Sequence, residues 1–163
     1  MMKIKSFMTM MVAAVALVTF FCSCSSDDDD EPVVAVPAQV AGSYTGTEVL
    51  TVMGEPDEST ATFEFKESSA QTIDMTIPSY GMDMMTLPAL PVKNIILVKS
   101  GDNITGKVAK YESVVTNSDG SEKAFTLTDL TVIFNGKTVV VTFTLKYGNM
   151  PFAFEGQFTG TKK

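Results

Sequence analysis

Histidine, arginine and tryptophan are absent from this chain of 163 residues, and cysteine occurs only twice, at Cys22 and Cys24. Without histidine there is no Ser-His-Asp or Cys-His arrangement and no imidazole ligand for a metal. The basic residues are lysines only, 12 of them against 19 acidic residues, for a net charge of −7. A nucleic-acid binder needs a basic stripe, so that partner class is excluded. Glycine-rich phosphate cradles are missing too. Paired carboxylates remain possible as acid and base. Yet Glu48, Glu64, Asp74 and Glu155 mostly read as polar alternation positions on solvated strand faces. The chain is therefore expected not to be an enzyme and to carry no cofactor and no metal.

No apolar run is long enough for a comfortable membrane span, which takes about 20 residues. The longest, Phe7 to Phe21, is interrupted by Thr9 and Thr19 and follows Lys3 and Lys5. A positive start before a short apolar stretch is the pattern of a secretory signal. It ends on Phe21-Cys22-Ser23-Cys24, where a small residue precedes a cysteine. This end resembles the lipobox of bacterial lipoproteins, which implies lipidation of Cys24 and a membrane anchor at the mature N-terminus. A disulfide between Cys22 and Cys24 would staple nothing.

The run Ser26-Asp27-Asp28-Asp29-Asp30-Glu31 follows at once. It resembles the acidic export signal of Bacteroidetes lipoproteins, which implies the outer membrane and a cell-exterior address. Physically it is a self-repelling, solvated tether. It lacks the alternating ligands and turn glycine of a calcium loop. The expected organisation is a signal peptide over 1–23, an acidic tether over 24–38 and one domain over 39–163.

That domain is written in strands. Phe63 and Phe65 alternate with Thr62, Glu64 and Lys66; Ile73, Met75 and Ile77 alternate with Thr72, Asp74 and Thr76. Val139, Val141, Phe143, Leu145 and Tyr147 share a face, as do Met150, Phe152, Phe154 and Phe158. A period of two marks half-buried antiparallel strands. Eight are expected, at 42–53, 60–66, 71–77, 94–99, 104–112, 123–134, 137–147 and 150–160. Asn135-Gly136, Ser100 to Asn103 and Asn117 to Gly120 supply turn chemistry. No amphipathic helix and no internal repeat are evident. Sequential hairpins predict an all-β, eight-stranded antiparallel up-and-down barrel, with a β-sandwich as the alternative.

"VPAQVAGSYTGTEVL" and "NMPFAFEGQFTGTKK", at the two ends of the domain, resemble the calycin-like (lipocalin-like) β-barrel lipoproteins of Bacteroidetes. The resemblance implies that Gly42-Ser43-Tyr44 places an aromatic plug at one end of a barrel. It implies a fold and no agreed function.

Residues 78 to 94 stand apart. They hold Pro78, Pro88 and Pro91 with no clear period, and so read as a long connection. Long loops in compact domains are usually functional or disordered. An apolar one must bury itself, so Tyr80, Met82, Met84, Met85 and Leu87 are candidate lid or pocket residues. Two functions follow. A surface-tethered monomer could hold a small apolar ligand inside the barrel, or a solid barrel could bind a protein, glycan or protease through its loops.

Overall fold

The computed structural model describes residues 35–82 and 85–163, and for residues 82 and 85 the backbone alone. Cys24, the acidic run, the signal segment and Met84 lie outside the described residues. The elements are α1 (Val36–Val40), β1 (Gly42–Val52), β2 (Glu55–Glu67), β3 (Thr72–Ile77), β4 (Tyr80–Met82), β5 (Met85–Leu87), β6 (Leu90–Ser100), β7 (Asn103–Thr116), β8 (Glu122–Asn135), β9 (Thr138–Tyr147) and β10 (Phe154–Lys162). Eight strands close into an antiparallel barrel in the order β1-β10-β9-β8-β7-β6-β3-β2. β4 and β5 form a separate two-stranded ribbon between β3 and β6. The sandwich alternative is excluded, because closure of β1 on β10 leaves one continuous sheet.

The alternation carries the fold. Phe63, Phe65, Ile73, Met75, Ile77, Val139, Val141, Phe143, Leu145, Tyr147, Phe154 and Phe158 are all buried. The lumen is filled with their side chains. Tyr44, Phe65 and Phe134 form a three-ring cluster with centroids 5.0–5.6 Å apart, and Phe63 stacks on Phe158 at 4.1 Å. Such packing leaves the barrel centre as a core rather than a hollow.

Two bulges let so small a barrel curve. Lys93 and Asn94 together face Asp74 alone, with Asn94 at φ 58°. In β8, Asp129 at φ 54° takes up an extra residue opposite β9. Extra residues of this kind bend a strand and sharpen its twist. Asp74 pins the first bulge, accepting from the Asn94 amide at 2.9 Å and from Lys93 Nζ at 2.8 Å.

Four expectations need correction. First, no amphipathic helix is evident in the sequence, yet a short helix, α1, stands at Val36–Val40 just before the first strand. Pro37 and Val40 are buried, and the Tyr44 hydroxyl donates to the Val40 carbonyl at 3.0 Å, so the helix lies on one barrel end. Second, the last strand starts at Phe154, and Met150 and Phe152 are only partly buried in the turn before it. Third, the 78–94 connection is ordered backbone where described: the β4–β5 ribbon and the first five residues of β6 occupy most of it. Fourth, Asn135 is not a central turn residue. It pairs with Thr138, and Gly136 at φ 55° makes the turn with Lys137.

Candidate functional site

The β3–ribbon–β6 segment is the loosest part of the wall. β2 pairs with β3 only from Glu64 to Glu67, although β2 itself begins at Glu55. On the other side, β6 pairs with β7 only from Leu97 to Ser100, while β7 runs on to Thr116 against β8 alone. The segment is thus laddered to both neighbours near α1 and parts from both towards the far end.

Beyond one parting, Pro91 keeps β6 from rejoining β7. Its carbonyl faces β7, accepting from the Tyr111 hydroxyl at 3.4 Å. The nitrogen of the same residue points the same way in an antiparallel strand and has no hydrogen to give. Tyr111 fills in, because its hydroxyl also accepts from the Lys93 amide at 3.2 Å. A second tyrosine does the same across the other gap. The Tyr80 hydroxyl donates to Asp57 Oδ2 at 2.6 Å, tying β4 to β2 where β3 has ended.

Beneath that tie the gap between β2 and β4 opens into a recess of about 340 Å³. Its walls are Asp57, Ser59, Thr60, Ala61 and Thr62 of β2, and Pro78, Ser79, Tyr80 and Gly81 opposite. Glu48 of β1 also lines it. No lysine is among the lining residues.

Glu48 overturns the expectation of a solvated strand carboxylate. It is 2% exposed, and its Oε1 accepts no hydrogen bond. Burial disfavours the charged form and pushes its carboxyl up to about 7. A signal for this was present: Glu48 shares the parity of Tyr44 and Leu50, both buried, while Thr45, Thr47 and Val49 hold the other face. The remaining strand carboxylates do face outward. Glu64 accepts from the Ser43 hydroxyl at 2.8 Å, Asp74 pins the bulge, and Glu155 is exposed.

Tyr80 and Leu87, two of the candidate lid residues, are buried and paired across the ribbon. Met82 and Met85 pair at its tip, and their side chains lie outside the described residues, as does Met84 altogether. Tyr80 faces the recess; Leu87 does not line it. Burial, the hydrogen bond to Asp57 and the nearby charges of Asp57 and Glu48 push the Tyr80 phenol up to about 12. Among the described residues no group of three or more acidic, histidine or cysteine side chains is placed to hold a metal. The recess offers hydrogen-bond acceptors, negative charge and one aromatic ring.

No family model matches the chain, and no curated protein matches it. Among solved structures it is similar to a "putative outer membrane protein" of Bacteroides fragilis NCTC 9343, at 19% identity and a TM-score of 0.62. The match covers 79% of this chain and 53% of that one, so this chain spans about half the length of that protein. A redesigned β barrel matches over 80% of this chain and 97% of its own, at 10% identity and a TM-score of 0.43. The likeness to the Bacteroides fragilis protein is one of fold.

Proposed function

We propose that this protein is a non-enzymatic, lipid-anchored barrel of the outer membrane that binds a small ligand in the lateral recess. The observation that carries the reading is the recess itself. The lumen is packed with aromatic and aliphatic side chains, whereas the wall parts beside a buried carboxylate that has no protein partner. Natural ligand sites are concave with a few convergent polar groups, and about 340 Å³ lies at the small end of their range. The ligand site therefore moves from the barrel centre, where the sequence suggested it, to the barrel side. The anchor at Cys24 rests on the resemblance to a lipobox, and the outer-membrane address on the acidic run, with weak support from the "putative outer membrane protein" of Bacteroides fragilis whose fold the barrel shares.

Native mass spectrometry of the detergent-extracted protein tests the site. A small co-purified species is expected with the wild type and is expected to vanish in Gly81→Trp. Gly81 lines the recess at negative φ, and a Cβ added to it would meet nothing within 4 Å, so a side chain fits there and a ring is expected to narrow the recess at its rim. A species retained in full by Gly81→Trp would place binding elsewhere. Metabolic labelling with a fatty-acid analogue, lost in Cys24→Ala, tests the anchor.

One observation favours a second reading, in which the outer wall binds a macromolecule. Ile96 and Val98 on β6 are each 63% exposed, and Ile133 on β8 is also exposed. A wild-type protein that carries no small species, but loses cell-surface partners in Val98→Lys, would favour it.

A further inference from the structure

We propose that the recess recognises a small organic amine, with Glu48 and Asp57 as counter-ions to its ammonium group. The inference rests on the recess being the ligand site and names the chemical class it takes.

Three features of the site converge on that class. The first is the orphaned acceptor. Glu48 is almost wholly buried, lines the recess, and leaves Oε1 without a donor. A buried polar atom with no partner costs free energy that a ligand bearing N–H donors recovers on binding.

Sign is the second. Glu48 comes from β1 and Asp57 from β2, and the lining residues from β2, β4 and the residues before it bring no cation. The lysines that form ion pairs with carboxylates, Lys93 to Asp74 and Lys110 to Glu112, do so elsewhere. An anionic ligand would meet like charge, and a neutral one would draw no charge–charge attraction from Glu48 and Asp57. A cation beside these carboxylates satisfies both charge and hydrogen bonding at once.

The third is Tyr80. Its hydroxyl is committed to Asp57 Oδ2, which fixes the ring as part of the recess wall and leaves Asp57 Oδ1 available. An aromatic wall in a recess with two carboxylates suits the apolar body of an amine as well as its head. The volume of about 340 Å³ limits that body to a small molecule.

Tyr80 from β4 interacts electrostatically with Glu48, Asp57 from β2 lines the same recess, and no basic residue lines it with them. Burial holds the Glu48 carboxyl near neutrality, at about 7. Amine binding requires the carboxylate, so it strengthens as pH rises through that value and as the ammonium stays charged.

Isothermal titration of the detergent-solubilised full-length lipoprotein with benzylammonium chloride tests this, with benzyl alcohol as the neutral probe. Saturable benzylammonium binding is expected at pH 8, weakened at least tenfold at pH 5 and at least tenfold in Glu48→Gln. Asp57→Asn is expected to weaken it by a smaller factor, and benzyl alcohol to bind at least tenfold more weakly than the amine. A thermal melt of Glu48→Gln at or above the wild-type midpoint shows that the loss is not unfolding. Equal binding of alcohol and amine would overturn the amine assignment while leaving the recess a ligand site. Undiminished amine binding in Glu48→Gln would overturn it as well. If neither probe binds while the co-purified species of the wild type is still displaced by Gly81→Trp, the recess stands and the amine class falls.

Discussion

Gly156 of β10 and Phe143 of β9 sit opposite each other in the ladder, and the Phe143 ring lies where a side chain on Gly156 would have to go. A Cβ on Gly156 would come 2.2 Å from Phe143 Cζ. The glycine is needed for close approach, because the ring covers its backbone inside a filled barrel. Gly156→Ala is therefore expected to destabilise by about 1–3 kcal/mol through overpacking. Phe143→Leu in the same chain should recover part of that loss. Additive costs in a double-mutant cycle, measured by urea denaturation, would show that the ring and the glycine do not depend on each other.

Glu48 sets the pH dependence of stability. Its folded carboxyl is raised to about 7 from an ordinary 4.5. Between those values the native state keeps a proton that the unfolded state has lost, so stability falls as pH rises across the window. Below 4.5 both states are protonated, and above 7 the loss levels off. The window corresponds to about 3 kcal/mol at about 1.36 kcal/mol per pK unit. Glu48→Gln should remove this slope and melt higher than the wild type at pH 8. Thermal midpoints of both proteins from pH 4 to pH 8 check it, and parallel curves would contradict a raised Glu48.

The two faces of β10 offer a direct check of register. Phe154 is fully buried and Glu155 exposed. Phe154→Asp is expected to cost several kcal/mol, about 3 or more, since an unpaired charge enters the core. Glu155→Lys should stay within about 0.5 kcal/mol. Denaturant midpoints for the two variants decide the matter, and equal tolerance would reverse the assigned faces.

The long alternating stretches made the barrel legible. From Val139 to Tyr147 every second residue is buried, as a strict period of two requires. The bulges at Asn94 and Asp129 break that period, so the pattern alone runs out of phase there. Helix α1 has five residues, too few for a 3.6-residue period to show, and β4 and β5 have three each. Glu48 was within reach, because it shares a parity with Tyr44 and Leu50. Its charge argued for solvent, and burial between inward-facing neighbours prevailed. The recess was out of reach. It exists because the ladder between β2 and β3 stops short, and where a ladder stops depends on strand pairing that no local pattern records.

Tyr44 joins α1 to the barrel. Its hydroxyl is buried and donates to the Val40 carbonyl at 3.0 Å, and burial raises its phenol above the ordinary value. Tyr44→Phe keeps the ring against Phe65 and Phe134 but leaves a helix-terminal carbonyl without its donor. A cost of about 1 kcal/mol is expected. Amide hydrogen exchange should quicken at Gln39 and Ala41, whose amides donate to Ala35 and Pro37, ahead of any strand amide. Unchanged exchange there would mean that the helix is held by Pro37 and Val40 alone.

Tyr80 is the test of how the ribbon is held. Its hydroxyl ties β4 to β2 through the 2.6 Å bond to Asp57, across a stretch where β2 has no strand partner on that side. Tyr80→Phe keeps the buried ring and removes the tie. A loss of about 1–2 kcal/mol is expected for a hydrogen bond to a half-exposed charged acceptor. The wild type should also weaken in strong alkali. Its phenol is pushed up to about 12, so above pH 10 the unfolded state ionises first and stability falls as pH rises towards 12. Tyr80→Phe should lose that part of the alkaline slope. Hydrogen exchange should quicken at Tyr80 and Leu87 while β8 and β9 stay protected, because the ribbon makes a sheet of its own. Equal loosening throughout the barrel would mean that the tie supports the whole wall, and an unaltered ribbon would mean that burial of Tyr80 and Leu87 suffices to hold it.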